Sequence, residues 1–369
     1  MNLMGIDYSV GISHVPPSRY VHGQVFLNEE ISIPIDDPHE ATHFMIIGST
    51  GGGKTFLIGI IASQFDNVLF FDGKGGKKFE YICGELGVTD EWEFFNLDTF
   101  NNMYDNPLKI NVRDMTPDIL NVLEIRKDGY LQQARANLER FLGKPVDDPD
   151  KTYAEFERIL TTEKPVYPNL FRELSVILDP DDDGMSLEDL VSGKKCIDLN
   201  GFNTSNRSIG VLAQMALQHK KLAASIEDNE KLLFAGDEMD TIASLFTALN
   251  EAFSTVFRQG RSSNISGLAC GTAHGKLGTA MIQNSKVFFF FECTKKQTNA
   301  VWQDFGVNIQ QEDFNSARLV HPKGNCLIQS PNFGITEQRM IYINADFFKK
   351  EVKKQEKPDY KMLDWSKYT

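Results

Sequence analysis

The sequence predicts an α/β fold: a mostly parallel sheet, covered by helices on both faces and interrupted by a helical insertion. Three observations carry this expectation. Short apolar runs recur between helix-compatible stretches, the pattern of strands buried on both faces. One such run, His43 to Ile47, breaks into Gly48-Ser49-Thr50-Gly51-Gly52-Gly53-Lys54-Thr55. Between Asp114 and Asp189 the strand signal gives way to helix formers and acidic turns such as Asp147-Asp148-Pro149-Asp150.

In chain order, residues 1–41 carry β-like runs at Gln24–Leu27 and Ile31–Ile35, with Pro34 arguing for an edge rather than a central strand. The first half of the core, 42–113, begins with a strand to Ile47, a glycine loop and a helix to about Phe65. A second strand, Asn67–Asp72, ends in Asp72-Gly73-Lys74-Gly75-Gly76-Lys77-Lys78, at the carboxyl edge where parallel sheets build sites. Glu93–Leu97 reads as a third strand. The helical insertion, 114–190, has helical stretches at Tyr153–Leu160, Leu170–Leu178 and Leu187–Val191, the last with Ser186 as N-cap.

The second half of the core, 191–345, resumes with a strand at Lys195–Leu199 and a long amphipathic helix from about Ser208 to Ile226. The strand Leu232–Gly236 ends in Asp237 and Glu238. Ile242, Leu245, Phe246, Leu249, Phe253 and Val256 then recur at helical spacing and predict one helix with a buried face. Strands at Ile265–Gly271, Lys286–Glu292, Cys326–Gln329 and Met340–Ile343 complete the inventory, before a basic tail, 346–369.

The glycine loop satisfies G-x-x-x-x-G-K-[ST]. In that pattern glycines turn backbone N–H groups inward around phosphates, the Lys reaches the β- and γ-phosphates, and the Thr hydroxyl binds Mg²⁺. The following helix adds the positive end of its dipole. A glycine turn that binds nothing shares the pattern, but the strand before and the helix after are the context that nucleotide binding requires.

Asp237 and Glu238 stand where an apolar strand meets solvent. With a phosphate loop present, Asp237 reads as a ligand of the Mg²⁺ shell and Glu238 as the group that polarises the attacking water. Alone, two such acids more often mark a helix start, where negative charge is favoured. Arg258 and Arg261, in Arg258-Gln259-Gly260-Arg261, follow on the next helix. Either could reach a phosphate bound by a neighbouring subunit, or pair with local acids.

Composition limits the alternatives. The net charge is −13, which argues against a surface that coats nucleic acid but not against a ring presenting a few basic residues to a channel. Positive charge gathers at Lys74, Lys77 and Lys78 and in the tail, where a solvated face is the plain alternative. The five cysteines lack C-x-x-C spacing and read as reduced thiols. No apolar run is long enough to span a bilayer, and the start of the chain lacks a signal-peptide pattern. The expectation is a cytoplasmic protein, recruited at most peripherally to a membrane complex.

These motifs together resemble the HerA/FtsK superfamily of ring-forming P-loop motors, especially the ATPases of conjugation and type IV secretion. The resemblance rests on Gly48–Thr55, on Asp72-Gly73-Lys74-Gly75 beside that group's Asp-Pro-Lys-Gly, on Asn106-Pro107-Leu108, on Asp237-Glu238 and on Arg258-Gln259-Gly260-Arg261. It implies a RecA-like P-loop core binding ATP and Mg²⁺, a homo-oligomeric, hexameric ring, and DNA as the polymer moved through its centre. Protein export or assembly in a secretion system, and packaging or defence with a nuclease partner, are the other functions it leaves open. Two departures stand out. The Gln usual at the end of the next strand is replaced by Thr272 or His274 as candidates, and no apolar run in these residues resembles the membrane anchor common to conjugative coupling proteins.

Overall fold

The computed structural model describes residues 41–75, 77–96, 185–200, 206–224, 231–272, 278–305, 309–320, 324–330 and 335–343, with short pieces at 24–26, 32–34, 110–111, 158 and 178–179. Its frame is a nine-stranded sheet. The strands are β3 (Phe44–Ile47), β4 (Asn67–Asp72), β5 (Trp92–Phe95), β8 (Lys194–Asp198), β9 (Leu232–Asp237), β10 (Ile265–Gly271), β11 (Val287–Phe290), β12 (Asn325–Ser330) and β13 (Ile335–Tyr342). Their order across the sheet is β13-β12-β11-β3-β10-β9-β4-β8-β5. From β11 to β5 every pairing is parallel, while β12 and β13 add antiparallel at one edge. Outside this sheet, β1 (Gln24–Phe26) and β2 (Ser32–Pro34) form an antiparallel pair, and β6 (Ile110–Asn111) pairs with β7 (Leu178–Asp179).

The central strands are apolar on both faces, and their alternation divides the core in two. Phe44, Ile46, Val68, Phe70, Leu233 and Ala235 pack beneath α1 (Lys54–Ser63) and α2 (Lys78–Leu86). Met45, Ile47, Leu69, Phe71 and Phe234 face the opposite layer. That layer contains α3 (Leu187–Val191), α4 (Asn206–Ala224), α5 (Met239–Leu245) and α6 (Thr247–Gln259). It also contains α7 (Thr279–Asn284), α8 (Lys295–Phe305) and α9 (Gln311–Val320). A sheet buried on both faces cannot show a polar face in its sequence, which is why these strands read as continuous apolar runs.

Helix α6 shows the complementary pattern: Leu249, Ala252, Phe253, Val256 and Phe257 are buried, all on one side. It lies close against α4, where a Cβ at Gly210 would come within 2.3 Å of the Ala248 Cβ. Helix α3 begins as its sequence predicts, with the Ser186 hydroxyl accepting from the Asp189 N–H at 3.0 Å. The five cysteines are buried free thiols.

One expectation is corrected here. The single helix read from Ile242 to Val256 is two helices, broken at Phe246, whose backbone leaves the helical region at φ −122° and ψ 65°. Phe246 is itself buried, so apolar periodicity continues through the break and conceals it. The segments expected as helices at Tyr153–Leu160 and Leu170–Leu178, the Asn106-Pro107-Leu108 loop and the basic tail lie essentially outside the described residues. At the end of the second segment, Leu178 belongs to β7.

Candidate functional site

The carboxyl ends of β3, β9, β4, β10 and β11 build one site. Strand β3 delivers Gly48–Thr55 between its two neighbours. Gly48 N–H donates to the Gly271 carbonyl at 3.4 Å, Ser49 N–H to the Glu292 carbonyl at 2.9 Å, and Phe291 N–H to the Ile47 carbonyl at 2.8 Å. The chain from β11 passes so close that a Cβ at Gly48 would stand 2.6 Å from the Phe291 Cβ. Gly53 turns into α1 at φ +102°, a conformation that favours glycine. Lys54 is buried, and its ammonium donates to the carbonyls of Gly48 at 2.9 Å and Ser49 at 3.0 Å, which places it inside the curve of the loop.

Opposite the loop, β9 ends in a buried carboxylate. The Thr55 hydroxyl donates to Asp237 Oδ2 at 2.7 Å, and the Glu238 N–H donates to Asp237 Oδ1 at 2.8 Å. Glu238 follows in the left-handed region at φ +52°, a conformation that costs a non-glycine residue on the order of 1–3 kcal/mol. The surroundings fix it there. Its carbonyl accepts from Thr241 and Ile242 as α5 begins, at 2.7 and 3.2 Å. The result is a carboxylate turned toward the rim while Asp237 stays inside.

The turn after β4 is pressed onto that pair. Asp72 stands in register with Asp237, and Gly73 N–H donates to the Asp237 carbonyl at 3.3 Å. A Cβ at Gly73 would lie 2.7 Å from that carbonyl oxygen. Asp72 Oδ1 accepts from the N–H groups of Lys74 and Gly75, at 2.9 and 3.2 Å. Burial, with the neighbouring Asp237 charge, pushes the Asp72 carboxyl up to about 6 against this hydrogen bonding. Lys74 Nζ reaches Glu238 Oε1 at 2.9 Å. Partial burial works against the ammonium charge, but the hydrogen bond and charge of Glu238 more than offset it and hold Lys74 above its usual value.

The structure thus brings Gly48–Thr55, Asp237 and Glu238 together. It leaves Arg258 outside that group. Arg258 is exposed in the last turn of α6 and joins none of the bonds linking Thr55, Asp237 and Glu238, and Arg261 falls in the short 3-10 turn Gly260–Ser263. Of the two candidates for the absent Gln, His274 lies outside the described residues. Thr272 spends its hydroxyl and N–H on Asp240 Oδ2, at 2.6 and 2.9 Å.

An amide stands at this corner all the same. Gln297, on α8, accepts from the Ser49 hydroxyl at 2.9 Å and donates through Nε2 to the Thr272 carbonyl. Sequence reading missed it because nothing local marks it. The signal is the adjacency of β11 and β3, which places whatever follows β11 beside the phosphate loop. A cavity of about 240 Å³ opens on the same side of the loop, between Ser49–Gly52, Phe314 and Asn325, with an Arg318–Glu292 ion pair in its wall.

The donor set fits a nucleoside triphosphate with Mg²⁺. A hydroxyl and a buried carboxylate in contact are hard oxygen ligands, and Mg²⁺ bound to phosphates needs only one or two such protein ligands. Among the described residues no group of three or more His, Cys, Asp or Glu could hold a metal ion by itself, so phosphate and water would complete the shell.

Comparison with known proteins agrees with the motifs. Residues 20–175 match the family model described as the central domain of the helicase HerA. Among solved structures, VirB4 of Thermoanaerobacter pseudethanolicus superposes with a TM-score of 0.54 at 13% identity, covering 89% of this chain and 98% of that one. A bacterial conjugative coupling protein, TrwBdeltaN70, gives 0.48 at 13% identity over 88% and 83%. The genome packaging NTPase B204 of Sulfolobus turreted icosahedral virus 2, in complex with AMPPCP, gives 0.35 at 10% identity over 84% and 98%. A search among curated proteins returns no match. Over residues 20–175 the chain thus resembles the HerA central domain, in line with the motifs, and its fold is that of the VirB4 structure. Among the described residues no helix is long and apolar enough to cross a membrane.

Proposed function

We propose that this chain is an ATP hydrolase that assembles as a ring, in the manner of a hexameric motor, and moves DNA through its centre. The observation that carries the reading is the contact of Thr55 with Asp237, which joins the phosphate loop to the end of β9 and leaves Glu238 at the rim. In this reading Gly48, Ser49, Thr50, Gly51, Gly52 and Gly53 surround the phosphates and Lys54 neutralises them. Thr55 and Asp237 hold Mg²⁺, which supplies charge to the transferring phosphoryl group. Glu238 accepts the proton of the attacking water.

Arg258 or Arg261 acts from the next subunit. The exposure of Arg258 supports a role at an interface. DNA as the polymer is supported by the match to a helicase domain and by the basic turn Lys74-Gly75-Gly76-Lys77-Lys78. The net charge of −13 favours a second reading, a motor for protein export or assembly in a secretion system. A cytoplasmic location, with recruitment to a membrane complex through a partner, suits either.

Steady-state ATP turnover with and without duplex DNA tests the proposal, alongside the oligomer's mass in a non-hydrolysable analogue. Lys54→Ala should abolish turnover, and Glu238→Gln should leave ATP bound but uncleaved. Unchanged turnover in both variants overturns the hydrolase reading. Indifference to duplex in an active enzyme favours protein as the cargo.

A further inference from the structure

Resting on that hydrolase reading, we infer that Lys74 is a latch on Glu238, released when a phosphodiester backbone draws the lysine away. A general base must offer a carboxylate lone pair to water, and a carboxylate bound to an ammonium is a weaker and partly committed base. Lys74 Nζ lies 2.9 Å from Glu238 Oε1, and both side chains reach the surface, at 27% and 16% exposure. The pair is therefore closed and within reach of a ligand.

The backbone around it has little freedom. Gly73 bonds to the Asp237 carbonyl at a separation that leaves no room for a side chain, and Asp72 holds the Lys74 and Gly75 N–H groups. Neither turn can move without the other. Rotation of the Lys74 side chain frees Glu238 without moving either turn.

The neighbouring charges supply a trigger. Lys77 and Lys78 are exposed at the start of α2, next to Lys74, on a chain whose net charge is −13. Partial burial and the Lys74 charge hold Lys78 below its usual value, so these ammonium groups repel one another and gain from a shared anion. Part-exposed ion pairs are weak, so a phosphate drawn to this turn can take Lys74 from Glu238. Lys74 is a positioning residue here: it acts on the base and not on the nucleotide. The Asp72-Gly73-Lys74-Gly75 motif thereby couples the arrival of polymer to hydrolysis.

The test uses the full chain with Lys74→Met and Lys74→Arg, reading ATP turnover at low salt with and without duplex DNA. Binding of a non-hydrolysable analogue checks that each variant is folded. Lys74→Met should raise the basal rate up to about fivefold, the most that release of a weak, part-exposed ion pair can return, and bring stimulation by duplex close to nothing. Lys74→Arg, which keeps the charge, should restore the low basal rate and the response. A Lys74→Met enzyme with wild-type basal rate overturns the latch. So does one that binds nucleotide but has lost turnover, since Lys74 would then serve the reaction directly. A raised basal rate in a protein that duplex never stimulates keeps the latch and overturns the phosphodiester trigger. Wild-type turnover that Lys54→Ala leaves intact overturns the hydrolase reading itself, and the latch with it.

Discussion

The hydroxyl of Thr55 donates to Asp237 Oδ2 at 2.7 Å, across 182 positions of sequence. Both residues are buried, so their oxygens are bonded to each other rather than hydrated. If Mg²⁺ binds between them, nucleotide affinity must depend on the metal through this pair. Wild-type protein should bind ATP at least about tenfold more tightly in Mg²⁺ than in EDTA, and Asp237→Asn should lose most of that difference. Thr55→Ala should lose part of it, since a hydrogen bond to a charged group contributes about 1.5–3 kcal/mol. Equilibrium titration of a fluorescent ATP analogue reads this directly. An Asp237→Asn variant with the full metal dependence would sink the assignment.

Gln297 ties the loop to its neighbour strand, accepting from Ser49 and donating to the Thr272 carbonyl. Removing the amide frees Ser49, at the loop's second position, while leaving Lys54 and Asp237 untouched. Gln297→Ala should therefore slow turnover more than it weakens nucleotide binding, and should lower stability by about 1 kcal/mol. Gln297→Glu should be worse in stability, because an ionised oxygen would replace the N–H group that faces the Thr272 carbonyl. Melting curves and a comparison of kcat with KM check both points. A loss confined to KM would mean that Gln297 serves binding alone.

The loop and the β9 carboxylates were legible because each lies within a few consecutive residues: glycines before Gly53-Lys54-Thr55, and apolar residues before Asp237-Glu238. What could not be read is what topology brings together. Lys74 and Glu238 are 164 positions apart, and Gln297 reaches the loop only because β11 lies beside β3. The break at Phe246 was hidden because a buried residue at a helix junction obeys the same periodicity as one inside a helix. The resemblance places a Gln at the end of β10, where Thr272 instead bonds Asp240, and no local pattern marks the amide that Gln297 on α8 brings beside the loop.

Asp72 gives the fold a pH dependence that can be isolated. Burial and the Asp237 charge raise its carboxyl from 3.8 to about 6, so the folded chain keeps this proton to a higher pH than the unfolded chain does. Between those values the folded state binds more protons, and stability must fall as pH rises through the interval. The stability that neutral Asp72 contributes is present near pH 4 and lost by about pH 6–7, with a size of about 3 kcal/mol at most for a shift of roughly two units. Asp72→Asn keeps the oxygen that accepts from Lys74 and Gly75 but cannot ionise. Urea unfolding in EDTA without nucleotide, at a series of pH values from 4.5 to 7.5, should show the variant gaining on wild type as pH rises. A difference that stays flat over that range would mean that Asp72 ionises in the folded protein as readily as it does in water.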